Sequence, residues 1–262
     1  AVKTLVPAPP RRSSLEKSLR VLILTMNRPK SLERLLVSLK NAVYRKGEIV
    51  HVDIWIDKPS SKDARSDSNT VQTANAFQKD WKVGTYAVHF REKNAGLAEQ
   101  WLDAWRLSVA AAKHPQGEAD FTADSNHELA VFLEDDLEVS PYFSEWLRRC
   151  HAAYDYRPDF AACTLQRASL CAADNCHDNL KGGPKGATSN FFYPLLGTWG
   201  FSPSARHWSR FTKWARTFIK SGAKPYVEGL TPTAWYRQFE RQGRCPGKNC
   251  MWSILHIKYV SE

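Results

Sequence analysis

No stretch of this 262-residue sequence approaches the run of roughly 20 apolar residues that spans a bilayer. The opening Ala1-Val2-Lys3-Thr4 carries no signal-peptide pattern. The chain as given is therefore expected to be soluble, with a membrane anchor outside it left open. No Asn-X-Ser/Thr acceptor occurs, so N-glycosylation lends no support to a secretory address. Lysine and arginine outnumber the acids, 37 to 27, for a net charge of +10. They form no basic run and no nucleic-acid module pattern, which argues against a nucleic-acid partner and leaves smaller polyanions. No cysteine pair has the tight two-residue spacing common in zinc sites. The six cysteines, at 150, 163, 171, 176, 245 and 250, all fall in the second half. Cys171 with Cys176 and Cys245 with Cys250 each enclose a short polar loop able to close as a disulfide, which favours an oxidising lumen; free thiols are the alternative.

What is present is a βα alternation. Residues 1–18, with three prolines and paired arginines and serines, read as a flexible arm or stem remnant. Residues 19–262 read as a single domain, its first half (19–140) facing a nucleotide and its second half (141–262) facing a second substrate. Arg20 to Thr25 is a buried-strand run that breaks at Asn27-Arg28-Pro29, and Leu32, Leu35, Leu36 and Leu39 then recur at helical spacing. Further strands are expected at His51–Asp57, Thr85–Arg91 and Leu129–Leu133, with helices near Asn69–Lys79 and Gly96–Lys113. Such alternation predicts an α/β fold, a mainly parallel sheet with helices on both faces and ligands at the carboxyl ends of the strands. Later expectations are a strand at Phe160–Leu165, a helix over Ser204–Lys220, a helix capped by Thr231 with Pro232 at its first position, and a terminal strand near Ile254–Val260.

The fourth long strand runs straight into Glu134-Asp135-Asp136. Adjacent carboxylates raise one another's pKa and oppose folding unless a cation neutralises them. Hard oxygen donors suit Mg²⁺ or Mn²⁺, which commonly take one or two protein carboxylates and complete their shell with a substrate's phosphates. The competing reading is an acidic loop that caps the helix starting after Pro141.

Four landmarks occur in order: Val21-Leu22-Ile23-Leu24-Thr25-Met26-Asn27-Arg28-Pro29, Trp55-Ile56-Asp57, Asn94-Ala95-Gly96-Leu97, and Val131-Phe132-Leu133-Glu134-Asp135-Asp136-Leu137. In this they resemble the GT-A (Rossmann-like) glycosyltransferases, over roughly residues 19–245. The inverting N-acetylglucosaminyltransferases of N-glycan and O-mannosyl glycan synthesis, and related plant and algal transferase-like proteins, are the members most similar. The resemblance implies a hexosyltransferase of the Golgi lumen that takes sugar from a nucleotide diphosphate, UDP foremost, with Mn²⁺ (or Mg²⁺), and passes it to a glycan or protein hydroxyl with inversion. It further implies Asp136 as the metal ligand, Asp135 and Glu134 on the ribose and nucleotide side, Asp57 against the base, Arg28 against the diphosphate, and Asn94 and Gln100 as flanking contacts. Trp101, Leu102 and Trp105 read instead as core, from their helical spacing.

Toward the acceptor, Leu195-Leu196-Gly197-Thr198-Trp199-Gly200-Phe201 resembles the family's glycine- and tryptophan-bearing loop, with Trp199 either a sugar platform or a buried plug. Inverting transfer needs a carboxylate to take the acceptor proton. The family's acidic pair has no match in Pro232-Thr233-Ala234-Trp235-Tyr236, so Glu228 is the replacement candidate and Glu240, among Arg237, Arg241 and Arg244, the alternative. His256 is the candidate second metal ligand, a structural histidine being the other reading. Two further readings stay open: a catalytically reduced carbohydrate-binding or scaffolding protein, and a nucleotidyltransferase or phosphohydrolase. The latter lacks its Gly-rich basic loop after the first strand.

Overall fold

The computed structural model describes residues 3–4, 17–59, 64–110, 128–165, 191–192, 197–243 and 251–262. Its strands are β1 (Lys3–Thr4), β2 (Ser18–Thr25), β3 (Val50–Ile56), β4 (Tyr86–Phe90), β5 (Glu128–Glu134), β6 (Ala162–Thr164), β7 (Phe191–Phe192) and β8 (Phe201–Pro203). Its helices are α1 (Pro29–Lys40), α2 (Ala64–Phe77), α3 (Gly96–Ala110), α4 (Phe143–Tyr154), α5 (Ala205–Ser221), α6 (Thr231–Arg241) and α7 (Trp252–Ser261).

Six strands form one sheet in the order β4-β3-β2-β5-β8-β6. β4, β3, β2 and β5 run parallel; β8 runs against them beside β5, and β6, antiparallel to β8, restores their direction at the edge. The fold is thus α/β with a mostly parallel sheet. Strand residues alternate in direction, so a strand buried on both sides feeds two cores. Leu19, Val21 and Ile23 of β2, with Val52 and Ile54 of β3 and Val131 and Leu133 of β5, pack against α1, α2 and α4. Leu22, Leu24, Trp55, Ala130 and Phe132 face the other way, against α3, α5 and α7. Each leucine that α1 buries contributes on the order of 1.5–3 kcal/mol of transfer free energy. Lys3–Thr4 pairs antiparallel with Phe191–Phe192, so part of the expected arm is strand.

Two elements differ from the sequence expectation, and one disulfide joins cysteines for which the sequence indicated no pairing. The terminal segment is a helix, α7, not a strand. Trp252, Ile254, Leu255, His256 and Ile257 are all buried, and four successive buried positions, 254–257, leave no amphipathic rhythm to separate the segment from a buried strand. Leu230, not Thr231, occupies the N-cap of α6, with Pro232 in the first turn, and the Thr233 hydroxyl donates to the carbonyls of Leu230 and Val227. Cys150 on α4 pairs with Cys163 on β6, their Cα atoms 6.7 Å apart. Cys171, Cys176, Cys245 and Cys250 lie outside the described residues, as do Leu195, Leu196 and Arg244.

The Cys150–Cys163 bridge closes a loop with a sequence separation of 13. In the chain-entropy account a loop of that size contributes about 3 kcal/mol. Cys150→Ala/Cys163→Ala is therefore expected to melt about 6–12 °C below the parent in differential scanning fluorimetry.

Candidate functional site

Chain order along the sheet reverses at β2. The chain steps from β2 outward through β3 to β4, then returns to place β5 on the other side of β2. In open α/β sheets such a reversal leaves a crevice at the carboxyl ends of the two strands, where ligands bind. The turn after β2 and the acidic turn after β5 flank that crevice.

The first turn is built by its residue types. Asn27 takes a left-handed conformation, φ 55°, which asparagine tolerates better than most residues. That redirects the chain so that Pro29 begins α1, its fixed φ suiting the first helical position. The amino end of α1 has no side-chain cap and no acid in its first turn. Its partial positive charge and its unpaired amides therefore face the crevice unanswered by its own side chains, a ready anion seat. The Asn27 Oδ1 is buried there without a hydrogen-bond partner among the described residues.

Across the crevice the three acids take separate roles. The Asp135 side chain is buried, and its Oδ2 accepts from the Thr25 hydroxyl at 2.6 Å. The Glu134 Oε1 accepts from the Trp101 indole at 3.2 Å. Asp136 points outward, its side chain 51% exposed. One nitrogen of Arg28, Nη1, joins the last two: it lies 3.2 Å from Asp135 Oδ1 and 3.0 Å from Asp136 Oδ2. Burial pushes the Asp135 carboxyl up from its ordinary range, opposed by Thr25 and Arg28. Burial likewise pushes Glu134 up, opposed by Trp101 and reinforced by Asp136 and Asp135. Asp135, then Asp136, hold the Arg28 guanidinium more firmly protonated.

The divalent ion implied by the resemblance fits this donor set. The carboxylates of Asp135 and Asp136 offer hard oxygens, and they already hold a positive charge between them in the form of Arg28. Among the described residues no three of His, Cys, Asp and Glu converge on one point. The protein would thus supply one or two carboxylates and a nucleotide's phosphates the remainder.

Asp57 and Gln100 do different work from that expected. The buried Asp57 carboxylate accepts from the amides of Lys58 (2.9 Å), Ala95 (2.8 Å) and Gly96 (2.8 Å) and from Asn94 Nδ2 (3.4 Å). A carboxylate has about four lone-pair positions, so little acceptor capacity is left for a nucleobase. Its role is to pin the Asn94-Ala95-Gly96 turn, where Gly96 has φ 75°, against the end of β3. Asn94 itself also donates to the Lys58 carbonyl. Gln100 is buried, accepts from Arg91 Nε at 2.9 Å and reaches the Trp55 carbonyl at 3.4 Å, so it ties α3 to the sheet and does not face the crevice. Trp101, Leu102 and Trp105 are buried as expected.

On the other side of the site, Trp199 is 59% exposed, which rules out the plug. Its carbonyl accepts from the Thr164 hydroxyl at 2.9 Å. The loop lies so close to its neighbours that a Cβ on Gly200, φ 66°, would come 2.7 Å from Leu165 Cβ. The tight seat leaves the indole face open. Glu228 is exposed in the turn before α6 and has no ion-pair partner among the described residues. Glu240 pairs with Lys224, not with the arginines of its own helix.

His256 lies on α7, its Nε2 2.7 Å from Nε2 of His207 on α5, among Phe201, Phe211, Trp252 and Tyr259. With Nε2 already occupied and Nδ1 buried without a partner among the described residues, the ring serves packing between α5 and α7. Burial, then His207, lowers His256 to about 3; burial, then Arg210, lowers His207 to about 4. Both groups protonate in the unfolded chain near the ordinary value of about 6.5. Their stabilising contribution is therefore complete above that pH and is lost as pH falls toward the folded values, at up to about 1.4 kcal/mol per pH unit for each ring. Thermal melts of the parent between pH 7 and pH 4 are expected to drop steeply, and His256→Leu to flatten that slope.

Sequence reasoning missed Thr25 and the second role of Trp101. Thr25 carried a usable signal, a hydroxyl on the last residue of the strand beside the acidic one.

No protein-family model and no curated protein matches the chain. Among solved structures it is similar to the mannosyltransferase PcManGT from Pyrobaculum calidifontis in complex with GDP-Man and Mn²⁺, with TM-score 0.47 and 13% identity over 97% of this chain and 71% of that one. It is also similar to apo mouse xyloside xylosyltransferase 1, with TM-score 0.41 and 9% identity over 94% of this chain and 81% of that one. Over a shorter stretch it is similar to S. aureus TarS 1–349, solved also with UDP-GlcNAc and with UDP, at TM-score 0.33 and 18% identity. That match covers 49% of this chain and 30% of the TarS fragment, so the chain spans less than a third of that relative's length.

Proposed function

We propose that the chain transfers a sugar from a nucleotide diphosphate donor, UDP-linked, to a glycan or protein hydroxyl with inversion at the anomeric carbon. One observation carries the reading. An uncapped helix end with Arg28 beside it faces a half-exposed carboxylate, Asp136, across the crevice where strand order reverses. The helix amides and a guanidinium suit diphosphate oxygens, and the carboxylate suits a divalent cation shared with them.

In this reading Asp136 holds the metal, Asp135 supports it from behind through Thr25, and Glu134 borders the nucleotide side. Mn²⁺, when bound, acts as a Lewis acid on the departing diphosphate. Arg28 and the amino end of α1 orient the phosphates. Trp199 offers its open face to a sugar ring. Glu228 takes the acceptor hydroxyl's proton as that oxygen attacks. The Cys150–Cys163 bridge accords with an oxidising compartment, for which we propose the Golgi lumen.

A thermal-shift panel of nucleotides and nucleotide sugars, with and without Mn²⁺, tests this. A ligand at 100 times its Kd stabilises the native state by about 2.7 kcal/mol, a rise of roughly 5–11 °C for a domain of this size. A flat response to every nucleotide sugar in both conditions would overturn the proposal.

A further inference from the structure

Arg28 pairs with the two carboxylates that would hold a divalent cation. A single guanidinium nitrogen bridges Asp135 Oδ1 and Asp136 Oδ2 at 3.2 and 3.0 Å. Both carboxylates thus direct one oxygen at the same point, the guanidinium nitrogen. The Arg28 side chain is 55% exposed, so moving it aside disturbs little packing. If it leaves, Asp135 keeps the Thr25 hydroxyl on its other oxygen, while Asp136 has no other hydrogen-bond partner among the described residues. The amino end of α1, whose N-cap position Arg28 occupies without a side-chain capping bond, has no acid in its first turn. An anion seated on that helix end offers the guanidinium a second set of oxygens within the reach of a side-chain rotation.

We propose that Arg28 is an intramolecular competitor of the metal: it neutralises Asp135 and Asp136 in the ligand-free chain and transfers to the donor's diphosphate on binding, vacating the carboxylates for the cation. This deepens the donor reading above and rests on it. The consequence is order. The ligand-free chain binds Mn²⁺ poorly because the ion must first expel a bonded guanidinium; the diphosphate removes that obstacle. By linkage the metal then favours the diphosphate by the same factor. An arginine that only contacted phosphate would leave metal binding to the ligand-free chain unaffected.

The test is Mn²⁺ binding itself, read from the electron paramagnetic resonance signal of the free ion, with and without UDP. Chains compared are the parent, Arg28→Gln, Arg28→Met and Asp136→Asn, with melting curves recorded for each. Removing the guanidinium in Arg28→Gln or Arg28→Met is expected to tighten Mn²⁺ binding in the absence of nucleotide roughly tenfold, within the usual range of site coupling. UDP binding weakens in the same variants, and Asp136→Asn loses Mn²⁺ binding. Two outcomes overturn the inference. If both Arg28 variants, correctly folded, bind Mn²⁺ alone no tighter than the parent while UDP still enhances metal binding, Arg28 is no competitor and the donor reading stands. If the parent and both variants bind no Mn²⁺ even with UDP present, the metal assignment and this inference fall together.

Discussion

Asp136→Asn is expected to erase the Mn²⁺-dependent part of any nucleotide-sugar response while leaving the unliganded protein almost unchanged. The contrast follows from exposure. The Asp136 side chain is 51% exposed, and among the described residues its one hydrogen-bond partner is a half-exposed arginine. Substitutions at such surface positions usually alter stability by less than about 0.5 kcal/mol, here a shift of a degree or two. Asparagine keeps the shape but removes the charge that a hard cation requires. If the metal stabilises the departing diphosphate by about 3 kcal/mol, transfer slows by roughly 100-fold or more. The measurements are melting temperature with and without Mn²⁺ and UDP-sugar, and turnover of a labelled donor. An Asp136→Asn protein with the parent's metal-dependent shift would show that the ion is held elsewhere.

Asp57→Ala is expected to act in the opposite manner, through the fold. Its carboxylate accepts from Lys58, Ala95, Gly96 and Asn94 from a buried position at the end of β3. Alanine leaves those amides without acceptors, each buried unsatisfied group costing about 1–3 kcal/mol before water relieves part of it. It also strips a negative charge from the amino end of α3. A net loss of about 3 kcal/mol, or roughly 6–12 °C in melting temperature, is the expected result by calorimetry. Asp57→Asn, which keeps one acceptor oxygen, should lose about half as much. An Asp57→Ala chain that melts with the parent would show that the 94–96 turn stands without its anchor.

These two aspartates separate what is legible in the sequence from what is not. The turns that bear Arg28 and Asp136 were legible because their signals are local: an aliphatic run that stops at Asn27-Arg28-Pro29, leucines at helical spacing behind it, and charge placed where a buried strand ends. Asp57 read as a ligand contact because its partners, Ala95 and Gly96, lie 38 and 39 residues further on, and only the folded sheet shows that they use up its oxygens. Gln100 was misread for the same reason, since its partners belong to β3 and to the residue just after β4. The pairing of Cys150 with Cys163 was equally illegible, because spacing does not determine which cysteines meet. α7 failed differently: its signal was present but ambiguous, an apolar run too evenly buried to reveal its period.

That last helix has a consequence for how the molecule is made. Trp252 stacks on Trp101, ring centroids 4.0 Å apart, and also packs against Phe201 and Trp208. Until residues 252–261 leave the ribosome, the aromatic layer beneath β2 and β5 has α3 and α5 but lacks α7, whereas the leucine-rich layer on the opposite side already has α1, α2 and α4. The two sides of one sheet therefore complete their packing at different times during synthesis, and a nascent chain that has not reached Trp252 leaves Trp101, Phe201 and Trp208 without one of their aromatic neighbours.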